Sequence, residues 1–141
     1  MEKWYGSAGV CVNEKGQLLM VLQGKPEEKK LWTIPSGGKE DLETFEDCCV
    51  REIKEETGYQ VEIVRKLKAK EGKTFGIDVV VQYFEVKIVG GTMEINDPDG
   101  LIHEVAWKSA KDLEDLDLSF PEDRSFLSAL IRNNKNVREE S

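Results

Sequence analysis

Short apolar blocks run through this chain, separated by breaks rich in glycine and charge. Gly6–Val12 and Gln17–Leu22 are two such blocks, and Asn13-Glu14-Lys15-Gly16 between them predicts a hairpin. Leu31–Ile34 predicts a short strand that feeds a flexible loop at Gly37-Gly38. Gln60–Ala69 and Ile77–Val89 predict longer strands, the second rich in Val, Tyr and Phe and closed by Gly90-Gly91. Leu101–Lys108 predicts a last strand. Elsewhere the period changes. Phe45, Cys49 and Ile53 recur at helical spacing, and Gly58 stands where a left-handed helix stop belongs. Ala110–Leu116 predicts a short helical turn. Pro121–Asn133 predicts an amphipathic helix with Pro121 in its first turn and Phe126, Leu127, Leu130 and Ile131 facing inward. Asn134–Ser141 is polar and is expected to fray. Strands, helix, strands and a terminal helix predict an α+β domain, a mixed β-sheet with helices on both faces.

Composition narrows the class. With 141 residues, 39% hydrophobic and 34% charged, the chain suits a single domain over residues 1–141 with one core. No apolar run approaches the ~20 residues of a membrane span, and Met1-Glu2-Lys3-Trp4-Tyr5 lacks signal-peptide form. Cys11, Cys48 and Cys49 lack metal-ligand spacing and read as small buried thiols in a reducing compartment, which predicts a cytoplasmic protein. A net charge of −8 argues against broad nucleic-acid binding. A phosphorylated small molecule stays open, because metal ions can sit between carboxylates and a polyanion.

Candidate chemistry concentrates between Gly37 and Tyr59, GGKEDLETFEDCCVREIKEETGY. On a helix, Glu52 and Glu56 stack one turn apart, with Glu55 beside them and Cys48 a turn earlier. Like charges so placed destabilise an isolated helix by roughly 0.2–0.5 kcal/mol per pair. Both glutamates border the apolar stripe, where a purely solvating face would not put them. Geometry alone leaves two readings, an exposed acidic helix or a cation site. Glu43, Glu46 and Asp47 fall near the amino end, where the helix dipole favours negative charge.

The order of these residues resembles the signature box of the Nudix hydrolases, which runs Gly, five residues, Glu, seven residues, Arg-Glu, aliphatic, any, Glu-Glu, any, Gly, aliphatic. Those positions are Gly37, Glu43, Arg51, Glu52, Ile53, Glu55, Glu56, Gly58 and Tyr59. Tyr59 departs from the usual aliphatic, Leu42 stands where many members carry Gly, and Ser36 varies the common Pro-Gly-Gly lead-in, yet no carboxylate is lost. The resemblance implies an α/β/α sandwich and a metal-dependent hydrolase. Such an enzyme cleaves a phosphoanhydride bond in a nucleoside diphosphate linked to another moiety, with Mg²⁺ as cofactor and Mn²⁺ able to substitute. Glu52 and Glu56 then become principal metal ligands, Glu55 a ligand or its partner, and the Gly37 carbonyl a further donor. Arg51 becomes an orienting partner of those carboxylates through Glu43. Asp97-Pro98-Asp99-Gly100 and His103-Glu104, ahead of Trp107, resemble the segment where many members place a further acid. Glu104 is therefore expected as an added ligand or general base, against the plainer reading of an exposed strand residue. Trp32 and Phe75 are candidates to stack on a base, as is Tyr83. Lys39 is a candidate phosphate contact, as are Lys25, Lys29 and Lys30. Their ordinary roles would be core aromatics and solvated lysines. Thr74-Phe75-Gly76-Ile77 carries neither the Pro nor the Tyr that marks certain subfamilies, so the substrate stays open. The alternative is a Nudix-like module that binds a nucleotide without hydrolysing it, which an intact box disfavours. A homodimer is a further expectation from the family.

Overall fold

The computed structural model describes residues 3–140, with side chains through residue 133. The strands are β1 (Lys3–Val10), β2 (Leu18–Gln23), β3 (Leu31–Thr33), β4 (Ser36–Gly38), β5 (Tyr59–Thr74), β6 (Ile77–Gly91) and β7 (Ile102–Lys108). The helices are α1 (Phe45–Thr57), α2 (Ala110–Asp115) and α3 (Arg124–Glu140), with a 3₁₀ turn at Pro121–Asp123. A four-stranded sheet has the order β4-β1-β6-β5, and a three-stranded sheet the order β3-β2-β7. The first is mixed, because β1 runs parallel to β6 while its other pairings are antiparallel.

Helices cover both sides, as the alternation of side chains along the strands requires. Leu19, Phe84 and Val86 pack against Cys49 and Ile53 of α1. Their sequence neighbours Leu18, Met20 and Tyr83 turn the other way and meet Leu113 of α2 and Leu127 and Ile131 of α3. Arg124 ties these two helices together by donating to the carbonyls of Leu113 and, at 3.1 Å, Leu116 at the end of α2. No described helix is long and apolar enough to cross a membrane.

Three local expectations are corrected. The turn at Asn13 forms, with Asn13 Oδ1 accepting from the amides of Lys15 and Gln17, but the hairpin does not continue. Only the Val12–Leu18 bridge joins its arms, because β1 leaves to pair with β6 and β2 with β7. Gly37-Gly38 is not a loop: it lies in β4, with Gly38 opposite Gly6 and Gly37 opposite Ser7. Gly6 has no room for a side chain, since a Cβ would come 2.6 Å from the Trp4 indole and 2.7 Å from Gly37 O, and a Cβ on Gly38 would press on the same indole at 3.1 Å. Finally, the last helix has other bounds than Pro121–Asn133: Pro121–Asp123 form a 3₁₀ turn and α3 runs from Arg124 to Glu140. Ser141 lies outside the described residues.

Candidate active site

Helix α1 is set by its ends. The Thr44 hydroxyl caps it by accepting from the Asp47 amide at 3.0 Å, with Glu46 and Asp47 in the first turn. Gly58 closes it at φ 84°, its amide donating to Lys54 O. Phe45, Cys49 and Ile53 turn inward, which aims Arg51, Glu52, Glu55 and Glu56 toward β4 and the adjoining loops.

Arg51 is the hub. Its Nε and Nη2 grip Glu43 as a two-pronged pair at 2.6 and 2.8 Å, and Nη2 also donates to Gly38 O at 3.0 Å. Nη1 donates to Glu52 Oε1 at 2.6 Å and reaches Glu55 at 3.3 Å. Glu43 also accepts from the Glu40 amide at 3.0 Å, and Arg51, then the other donors, holds its carboxyl down to about 2.

Glu52 sits directly under Gly37, where any Cβ would overlap its carboxylate. Glu56 is buried, 5% exposed, and its Oε1 accepts from the Ser36 amide at 3.3 Å. The carboxyl groups of Glu52 and Glu56 are close neighbours. Burial, then that neighbour, pushes the Glu56 carboxyl well above the usual range, and burial pushes Glu52 up as well. The Glu56 shift carries the one-turn repulsion expected from sequence, which burial strengthens. Among the described residues, no three acidic, His or Cys side chains converge on a single point, because Arg51 draws Glu52 and Glu55 to itself. The donor set nevertheless suits a small hard cation: carboxylate oxygens, and a Gly37 backbone that the Glu52 carboxylate approaches too closely for any Cβ.

A later loop delivers a different acid from the one expected. Glu94 and Asn96 donate their amides to Thr57 O and Glu55 O at 2.8 and 2.7 Å, stitching residues 92–96 to the end of α1. This brings Asp97 near enough for its charge to raise Glu56 further. The Asp97 carboxylate itself accepts from the amides of Asp99, Leu101 and Ile102, so it organises the loop. Glu104 is exposed on β7 opposite Leu22, in line with Ala106 and Lys108. The α1 side of that strand belongs to Val105 and Trp107. Strand alternation thus turns Glu104 away from the carboxylates of α1.

The opposite face of the larger sheet floors a cavity of about 560 Å³ that begins at Ser36 and Gly37. Phe75 lines it from the β5–β6 tip, fully exposed and at φ 52°, a left-handed conformation that costs a non-glycine residue energy. Trp32 does not line it; the Lys108 ammonium lies 4.3 Å from the centre of its ring. Tyr83 does line the cavity, from the core side at 4% exposure, with its hydroxyl donating to Asp123. Lys39 donates to the carbonyls of Glu40 and Glu43, 5.8 Å from the Phe45 ring centre, and so braces the loop before α1. Lys30 likewise caps the carbonyls of Lys25 and Glu28, and Lys29 pairs with Asp117. Sequence reasoning missed Trp4, Lys70 and Glu122 at this cavity. The Trp4-x-Gly6-x-Ala8 alternation signals one strand face, but pairing Lys70 with Glu122 takes a contact across 52 residues that no local pattern shows.

An α/β/α domain with an arginine-anchored glutamate helix docked beneath a glycine strand is thereby defined. The chain belongs to the Nudix family: the NUDIX domain model matches residues 4–130. It is 31% identical over 104 residues to the 8-oxo-dGDP phosphatase NUDT18 of Mus musculus, covering 73% of this chain and 31% of that protein. It is 29% identical over 109 residues to Nudix hydrolase 5 of Arabidopsis thaliana, covering 72% and 35%. The chain thus spans about a third of the length of these curated relatives. In fold it is similar to the MutT NUDIX hydrolase of Burkholderia pseudomallei, with a TM-score of 0.75, 21% identity, and 92% and 98% of the two chains covered.

Proposed function

We propose that this chain is a divalent-metal-dependent pyrophosphohydrolase that cleaves a phosphoanhydride bond in a nucleoside diphosphate linked to another moiety. The observation that carries this reading is the packing of Glu52 under Gly37 beside Arg51, with Glu56 on the Ser36 amide, at the strand where the cavity begins. Glu52, Glu55, Glu56 and the Gly37 carbonyl would hold Mg²⁺ or Mn²⁺. When bound, such an ion neutralises charge on the phosphoryl group and acidifies a coordinated water. Arg51 positions Glu52 and Glu55 and keeps the excess negative charge of the helix in check until a cation arrives. Gly37 and Gly38 let the diphosphate approach the backbone closely. Glu55 takes the proton of the attacking water, since its side chain is more exposed than that of Glu52 and it meets Arg51 only at 3.3 Å. Phe75 covers the nucleoside from the hairpin tip. Free, buried thiols fit a reducing cytoplasm.

A phosphate-release screen over nucleoside diphosphate derivatives tests the proposal. Hydrolysis of at least one should stop in chelator and return with Mg²⁺ or Mn²⁺. Glu56→Gln should lack activity while melting in chelator no lower than the parent, because it removes a buried charge one helical turn from Glu52. Hydrolysis undiminished in excess chelator, or in Glu56→Gln, overturns the reading.

A further inference from the structure

A second cavity, of about 370 Å³, opens at the end of the larger sheet where β1 begins. That size falls within the ~300–1,000 Å³ of ordinary ligand sites. Lys3, Trp4, Tyr5, Lys39, Asp41 and Phe45 line it. Trp4 lines the larger cavity as well, so the two meet at its indole, which lies over Gly6 and Gly38. Strand alternation then sends them to opposite faces of the sheet. Ala8 continues the Trp4 side into the larger cavity, while Tyr5 turns to the α1 side and meets the Phe45 ring edge-on, 5.9 Å between centres.

The path from one cavity to the other follows β4 past the carboxylates of α1. Glu56 accepts from the Ser36 amide, Glu52 packs under Gly37, and Arg51 donates to Gly38 O. β4 therefore runs beside α1 from its last turn toward its first. Lys39 comes next and donates to Glu43 O at 2.9 Å, just ahead of the helix. Phe45 lies ~10 Å along the helix axis from Glu52, at ~1.5 Å per residue. With the diphosphate over Gly37 and Gly38, whatever its distal phosphate carries is led into the second cavity.

The lining decides what that moiety can be. Tyr5, 40% exposed, offers an aromatic surface. The Asp41 carboxylate only accepts hydrogen bonds and repels an anion. Lys39 already donates to the carbonyls of Glu40 and Glu43. An ionised terminal phosphate, which also only accepts, is poorly served here. A sugar suits the lining, because its C–H face lies on an aromatic ring and its hydroxyls both donate to a carboxylate and accept from an ammonium. We propose that Tyr5, Phe45 and Asp41 form a subsite for a sugar carried on the distal phosphate, so that the substrate is a nucleotide sugar rather than a nucleoside triphosphate. This rests on the function proposed above and names the moiety which that reading leaves open.

Isothermal titration in Mn²⁺ with methylene-bridged analogues, which resist hydrolysis, tests this in matched pairs. Uridine diphosphate is set against its glucose conjugate, guanosine diphosphate against its mannose conjugate, and adenosine diphosphate against its glucose conjugate. The base cancels within each pair. In at least one pair Asp41→Ala, a change in an exposed loop, should weaken the sugar conjugate about 10-fold and leave the plain diphosphate unchanged or tighter. Tyr5→Leu, which keeps an apolar contact with Phe45, should do the same. A loss shared equally by both members of every pair, or no loss in either, overturns the proposal. Metal-dependent hydrolysis in which neither substitution singles out the sugar conjugates overturns this inference and leaves the hydrolase reading standing. Failure of the parent to bind any of these probes overturns both.

Discussion

At the scale of single residues, the site is governed by which oxygens Arg51 engages. Glu43 takes two of its donors and Glu52 a third, while Glu55 is met only at longer range. Glu55→Gln should therefore lower turnover by roughly 10²–10⁴ if it accepts the proton of water. Glu104→Gln, on the far side of β7, should leave turnover within threefold of the parent, about the precision of such an assay. Steady-state rates on both variants decide, and a large loss in Glu104→Gln would return the base role to β7. Glu43 supplies a pH test. Its folded carboxyl lies at about 2, below the ordinary 4.5, so the stability it contributes is present above 4.5 and disappears as pH falls to about 2. Denaturant melts of the parent and Glu43→Gln should differ at neutral pH and converge in strong acid. A gap that stays constant down to that pH would assign the role of Glu43 to shape rather than charge.

At the scale of elements, α1 was readable because everything that places it is local: the Phe45–Cys49–Ile53 stripe, the charge in its first turn, and Gly58 at its end. Gly58 does more than stop the helix. A Cβ there would overlap Thr92 O and come 2.5 Å from Glu94 N, so the glycine admits the 92–96 segment against the helix end. Gly58→Ala should cost at least about 1–2 kcal/mol for the left-handed backbone alone. Hydrogen exchange of the Glu94 and Asn96 amides should quicken together with the fall in melting temperature. Unchanged protection there would uncouple the loop from the helix. What sequence could not show is where strands go after they form. Asn13-Glu14-Lys15-Gly16 carries every mark of a hairpin turn and makes the turn, yet β1 and β2 end in different sheets. Local turn chemistry specifies a reversal and says nothing about the pairing partners that win afterwards. The same gap hid Glu104, since an acid ahead of Trp107 looks well placed until strand parity turns it away.

At the scale of the molecule, all three thiols lie in the interior, Cys11 and Cys49 in the core beneath α1 and Cys48 against the Gly37 carbonyl, each at most 3% exposed. Burial pushes Cys11 up to about 11 and Cys49 up to about 12. The folded protein should thus resist a disulfide-exchange reagent at mildly alkaline pH, and all three thiols should react once denaturant is added. Rapid reaction of the native chain would place a cysteine outside this interior. Gly38, Gly6, Val81 and Lys70 stand opposite one another across the larger sheet, and this row bears on how such a protein could change over evolution. The separation between its two ends is counted in whole strands, each pinned to the next by main-chain hydrogen bonds, so it behaves as a rigid gauge. Side-chain replacement can alter what either end grips, but the span itself moves only in steps of one strand. Divergence within this scaffold should accordingly exchange chemical preference readily and reach-length hardly at all.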